Sequence, residues 1–181
     1  MLTPDRFDVV VTVRSEEKGQ RIVKSIDETQ GKQVSFVVVE DIAREGAFDQ
    51  VSRPHHGDNK ETASNTHQAV QSTPPFDYVV HTASPYQLHW EDPVKDCLGP
   101  AIKGTTGILK SIHAYAPTVK RVVITSSSAA VLNPPNHPKV YDESSWCDVT
   151  WEEAMDPRNT YKASKVRLPS DEPPTSSDMT D

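Results

Sequence analysis

Four short runs of β-branched and aromatic residues interrupt an otherwise polar chain, at residues 7–13, 34–39, 78–81 and 121–125. Each is apolar almost without a break rather than alternating, the pattern of strands covered on both faces of a parallel sheet. Helical periodicities lie between them. Residues 16–28 set Ile22, Val23 and Ile26 on one face, and residues 44–51 form a shorter candidate. The strongest helix signal starts at Asp92, whose carboxylate suits the free N–H groups of a first turn, with Pro93 where a missing N–H is no loss. Val94, Leu98, Ile102, Leu109 and Ile112 then follow at helical spacing. Strand and helix alternate, so the expected class is α/β with right-handed crossovers.

Two segments stand outside this rhythm. Residues 52–68 are polar and aperiodic, and residues 166–181 are rich in Pro, Ser and Asp. Neither holds enough apolar surface to offset its ordering entropy, so both are expected to be disordered. Only 35% of the 181 residues are hydrophobic, which fits a chain that packs in part. The length suits one domain, expected over residues 1–165. A net charge of −7 leaves no basic stripe for nucleic acid. No apolar stretch nears the roughly 20 residues of a membrane span, and no signal peptide opens the chain, so the expected address is cytoplasmic. Cys97 and Cys147 are too few for a disulfide framework or a zinc site and read as packing thiols. His55 and His56 lack convergent partners, so no metal is expected.

The chemistry concentrates at Tyr161-Lys162-Ala163-Ser164-Lys165, where a phenol and an ammonium four apart share one helical face. An ammonium beside a phenol favours the phenolate, and so eases proton release to a carbonyl oxygen. Alone, the spacing is common on surface helices. Upstream, however, the strand at 121–125 runs into Thr125-Ser126-Ser127-Ser128, hydroxyls at the carboxyl end of a parallel strand, where open α/β sheets bind ligands. Hydroxyl cluster, Tyr and Lys in this order are specific together. After the first run, Arg14 and Lys18 stand where a plain NAD site would use an acid, and they suit a 2′-phosphate. Asp41 follows the second run in position to receive an adenine amino group, and residues 82–84 follow the third.

The order VTVRSEEKG, EDI, FDYVVHTASP, PAIKGTTGILKSI, KRVVITSSSAAV, YDESSW and YKASK resembles the dihydroflavonol reductase branch of the extended short-chain dehydrogenases, especially the fungal ketoreductases and methylglyoxal reductases similar to it. The resemblance implies a Rossmann-like, doubly wound parallel sheet and NADP(H)-dependent reduction of a small ketone or aldehyde. It makes Ser127, Tyr161 and Lys165 the catalytic triad, with Tyr161 the proton donor. It gives Arg14 and Lys18 to the 2′-phosphate and Asp41 and Ile42 to adenine. Thr82, Ala83 and Ser84 would lie along the cofactor's middle, with Thr125, Tyr161 and Lys165 also lining its site.

The sequence departs from that pattern at both ends. No strand and Gly-x-x-Gly-x-x-Gly turn precede residue 7, and no substrate domain follows Lys165, where Pro169, Pro173 and Pro174 stop any helix. In a 3-2-1-4-5 strand order the strand not found is central, leaving the runs at 7–13 and 78–81 without a neighbour between them. The chain is therefore expected to be an incomplete domain, inactive as it stands. The second reading is a non-catalytic pseudoenzyme that pairs its open edges with a partner chain. Both odd segments read as retained introns: Val51-Ser52 fits GTAAGT, Ser64-Asn65 fits TCTAAC, Gln68 fits CAG and Val166-Arg167 fits GTACGT. Sequencing the spliced transcript checks this. A mature message that keeps both segments would overturn the intron reading.

Overall fold

The protein is described here by a computed structural model that covers residues 7–30, 34–49, 75–87, 89–134 and 136–166. The expected disordered segment at 52–68, His55 and His56, and the tail beyond Val166 lie outside the described residues. The chain forms two compact units, Met1–Asp77 with Gly107–Lys120, and Tyr78–Thr106 with Arg121–Asp181. The class is α/β with parallel strands, as the alternation of runs and periodicities implies.

In the first unit, β1 (Val9–Val13) pairs in parallel with β2 (Val34–Val38), from Val9 against Val34 to Val13 against Val38. The N–H of Val39 carries the ladder one step further, donating to Val13 O at 2.7 Å. Helix α1 (Glu16–Gln30) packs on β2. Ser35, Phe36 and Val37 are all buried, and Phe36 faces the helix at Gly19. The approach is close enough to require a glycine: a Cβ on Gly19 would lie 2.2 Å from Phe36 Cδ2.

The candidate helix at 44–51 is a correction. Over its described part the chain instead makes successive turns, with N–H groups of Arg44, Ala47 and Asp49 donating to the carbonyls of Asp41, Arg44 and Gly46. Gly46 sits at φ 67°, in the left-handed region that ends any right-handed helix. The segment is anchored by its side chains, since Phe48 is buried and the Ser111 hydroxyl donates to the Asp49 carboxylate.

In the second unit, β3 (Tyr78–His81) pairs in parallel with β4 (Arg121–Ile124). Among the described residues each sheet has two strands, β1-β2 and β3-β4. Complete burial of both faces, expected for all four runs, holds for the centre of β2 alone. Tyr78, Val80 and Val123 are largely exposed on β3 and β4, because no described helix covers that face of the pair.

After β3 the helix signal at Asp92 is realised in two parts. Asp92 Oδ1 accepts from the N–H groups of Val94 and Lys95, both at 3.0 Å. A wide π turn, Val94–Leu98, then leads into α2 (Gly99–Tyr115). The cause is local: Pro100 has no N–H to return to Asp96 O and its ring would crowd that carbonyl, so the preceding turn opens and Gly99 N–H reaches Val94 O instead. Ala101, Ile108 and Ile112 are buried, whereas Leu109, assigned by spacing to the packed face, is 39% exposed.

A 3-10 turn (Ser128–Ala130), α3 (Trp151–Ala154) and α4 (Pro157–Val166) complete the unit. Leu98, Cys147, Val149, Ala154 and Ala163 form its core, with Trp151, Met155 and Val166 packed against them. Val166, assigned by composition to the tail, is thus the last packed residue of α4. Trp146, by contrast, is exposed. Among the described residues no helix is long and apolar enough to cross a membrane.

Two glycines test the packing in opposite senses. Gly19→Ala should lower stability, because overpacking against the buried Phe36 ring costs about 1–3 kcal/mol, more than the roughly 1 kcal/mol gained in helix propensity. Gly107→Ala, whose Cβ would meet Phe48 Cδ2 at 4.0 Å, should be neutral or stabilising. Denaturant unfolding of both variants measures the difference.

Candidate active site

The carboxyl ends of β3 and β4 are tied together beyond the strands, because Thr125 N–H donates to His81 O at 2.9 Å. This sets residues 82–87 beside the hydroxyl cluster. Ser127 has extended backbone, and its Oγ accepts from Ala129 N–H at 3.2 Å, capping the 3-10 turn. With one lone pair engaged there, its O–H is left to donate elsewhere. Helix α4 packs against this turn and against the π turn that precedes α2.

Several contacts fix α4 itself. Thr150 and Glu153 exchange reciprocal side-chain to backbone bonds at the start of α3, at 3.2 and 2.9 Å. The buried Thr160 hydroxyl reaches back to Ala154 O at 2.9 Å and Asp156 O at 3.1 Å, pinning the first turn of α4 to α3. Asp156 accepts from the backbone N–H of Arg158 at 2.9 Å and from its guanidinium, and the Arg158 side chain holds this carboxyl down at about 2.

One turn apart on α4, Tyr161 and Lys165 meet. The Lys165 Nζ lies over the Tyr161 ring, 5.2 Å from its centroid, a position favoured by the electron-rich ring face. The same ammonium donates to Ser84 Oγ, from the loop after β3. Two residues further along that loop, Tyr86 meets Tyr161 in a T-shaped pair, with centroids 5.2 Å apart and planes at 81°. Beneath α4, near the Cys97 thiol, the Ser164 hydroxyl donates to Tyr161 O at 2.7 Å.

The electrostatics follow from burial. Lys165 is pushed below the ordinary ammonium range by partial desolvation, opposed in part by the nearby Cys97 thiol. Burial raises Cys97, which keeps it protonated and unreactive. His81, buried at the end of β3, is lowered first by burial and second by the positive charge of Lys165, so its imidazole is held neutral.

Of the residues singled out by sequence, the structure therefore gathers Tyr161, Lys165 and Ser84, with Ser127 on the turn against which their helix packs. Thr82 and Thr125 are exposed and Ala83 is half-buried on the same strand ends. Arg14, Lys18, Asp41 and Ile42 belong to the first unit. Arg14 and Lys18 are exposed at the start of α1, and Ile42 is half-buried. Asp41 Oδ1 is engaged by Ala43 N–H at 2.8 Å, a local turn that orients the carboxylate. Sequence spacing gave no sign of Tyr86, Cys97 or His81, since each acts through a tertiary contact. Among the described residues no three metal-ligating side chains converge.

The parallel strands and their helices have the Rossmann-like fold of the solved structures the chain resembles, which are reductases. A ketoreductase of Aspergillus niger is 54% identical over 160 residues, covering 88% of this chain and 42% of its own length. An NADPH-dependent methylglyoxal reductase of Saccharomyces cerevisiae is 35% identical over 170 residues, covering 91% of the chain and 44% of its own. The crystal structure of the yeast methylglyoxal/isovaleraldehyde reductase, complexed with NADPH, matches with a TM-score of 0.70 at 33% identity, over 88% of this chain and 43% of that one. No family model matches the chain. Its homologues are thus fungal ketoreductases and NADPH-dependent methylglyoxal reductases of the short-chain dehydrogenase and epimerase/dehydratase-like family, and the chain spans less than half of their length.

The buried histidine makes a pH prediction. An unfolded chain protonates His81 near 6.5, before the folded one can, so its contribution destabilises the fold progressively as pH falls below that value. Thermal unfolding followed from about pH 7.5 to about pH 5 should show a shallower loss in His81→Gln than in the parent chain. Equal slopes would show that residue 81 takes no part in the acid response.

Proposed function

We propose that these residues form the proton-delivery site of an NADPH-dependent reductase that converts a small ketone or aldehyde to an alcohol. The observation that carries the reading is the Lys165 ammonium lying over the Tyr161 ring, on a helix packed against the Ser127 turn. The names of the relatives, a ketoreductase and NADPH-dependent methylglyoxal reductases, support the substrate class and the cofactor.

The residues fit one end of the dinucleotide better than the other. Ser84, Tyr161 and Lys165 offer a partly buried set of donors and acceptors suited to the ribose and nicotinamide end. Arg14 and Lys18, exposed after β1, have the charge and reach for a 2′-phosphate. The glycine-rich turn that would receive a pyrophosphate is not among the 181 residues. NADPH, when bound, supplies the hydride. Ser127 O–H donates to the substrate oxygen, Tyr161 passes its phenolic proton to that oxygen as negative charge develops, and the Lys165 cation stabilises the phenolate left behind.

A comparison of two proteins tests this. The 181-residue chain should show no NADPH-induced rise in unfolding temperature. The chain completed on both sides with the flanking segments of the Aspergillus niger ketoreductase should be stabilised, by roughly 2.7 kcal/mol at a hundredfold excess over Kd. The completed protein should also oxidise NADPH in the presence of an aldehyde, and Tyr161→Phe should slow it on the order of 10²–10⁴-fold. A completed protein that keeps its rate after Tyr161→Phe would show that the proton comes from elsewhere.

A further inference from the structure

The loop between β3 and the π turn touches both members of the Tyr161/Lys165 pair. Ser84 Oγ accepts from the Lys165 ammonium, and the Tyr86 and Tyr161 rings meet in a T-shaped pair at 81°. The residue between them, Pro85, is buried, and its ring fixes φ, which restricts the backbone between the two contacts. At its start the loop is held by the β3-β4 ladder, which continues to Thr125.

Both contacts answer a need of α4. A phenol at a helix surface has free rotation about two side-chain bonds, and a lysine about four. Rings prefer an edge-to-face approach at this centroid separation, so the Tyr86 ring narrows the positions open to the Tyr161 ring. The ammonium, partly desolvated, needs an acceptor, and the Ser84 hydroxyl supplies one. Ser84 is assigned by family resemblance to the cofactor, whereas here its hydroxyl faces the lysine. Tyr86 is 67% exposed, so its ring is not needed to fill a core and its contact with Tyr161 stands apart from stability.

We propose that residues 84–86 act as a positioning clamp, in which Ser84 fixes the Lys165 ammonium and Tyr86 fixes the Tyr161 ring at the angle from which its proton is delivered. The clamp rests on the reductase reading above, and its test separates the two. In the 181-residue chain labelled with 3-fluorotyrosine, the resonance lost in Tyr161→Phe identifies residue 161. Tyr86→Leu should shift that resonance and broaden it, whereas Tyr86→Phe, which keeps the ring, should leave it in place. An unmoved signal in Tyr86→Leu overturns the aromatic half of the clamp whatever the protein catalyses.

The kinetic arm uses the completed protein. Ser84→Ala should lower kcat about tenfold in the parent, and change it by less than about twofold in a Lys165→Met background, because a residue acting through Lys165 has nothing left to act on. An equal loss in both backgrounds would mean that Ser84 works on the cofactor directly, and overturns its positioning role. No loss in the parent overturns it as well. Tyr161→Phe with full activity would instead refute Tyr161 as the proton donor, leaving the fluorine result to stand by itself.

Discussion

A lysine drawn partly out of water must find an acceptor and a site that tolerates its charge, and the second unit is organised around that requirement at Lys165. The acceptor is the Ser84 hydroxyl, and the tolerant site is the face of the Tyr161 ring. Both are tertiary, so the ammonium keeps them only if α4 holds its place against the strand ends. The helix is accordingly tied at its first turn, through Thr160 to α3 and through Asp156 to its own N–H groups, and packed along its length by Ala163 and Val166. Ala163 is the small residue that brings the opposite face of α4 close to the core.

Burial spreads the effect of that charge to its neighbours. His81 lies at the end of β3 and is disfavoured as a cation by its surroundings and by Lys165 alike. Two bases therefore share the end of one sheet with a single positive charge between them at neutral pH. Cys97, on the other side of α4, is held as a thiol by burial. The loop after Ala130 is closed by similar local economy: Cys147 N–H donates to Ala130 O at 2.8 Å, and the Tyr141 hydroxyl joins Asn133 N–H to His137.

Much of this was legible in the sequence because it is local. Apolar runs placed all four strands within a residue or two, Asp92 and Pro93 marked the start of a helix, and the Tyr-x-x-x-Lys spacing placed two side chains on one face. Where the reading failed, a competing local force intervened. Gly46 in the left-handed region turned a helical pattern into a chain of turns, and Pro100 opened the turn before α2. The partners of Tyr161 and Lys165 were not legible at all. Ser84 and Lys165 are 81 positions apart, and no periodicity links residues that distant. The hydroxyls of Thr82, Ser84, Thr125 and Ser127 looked equivalent in sequence, and tertiary packing separates the one that faces the lysine from the exposed two and the one that caps a turn.

The wide turn at Val94–Leu98 has a consequence for how length is read along this chain. A π turn holds one residue more than the helical segment it replaces, so the path from the strand to the core is longer in sequence than in space. Counting residues from Asp92 therefore overshoots the true azimuth of everything downstream by a single step. Relatives without a proline at this place could omit one residue and still align every side chain of the following helix in three dimensions, so a gap placed here in an alignment would record a change of winding with no change of surface.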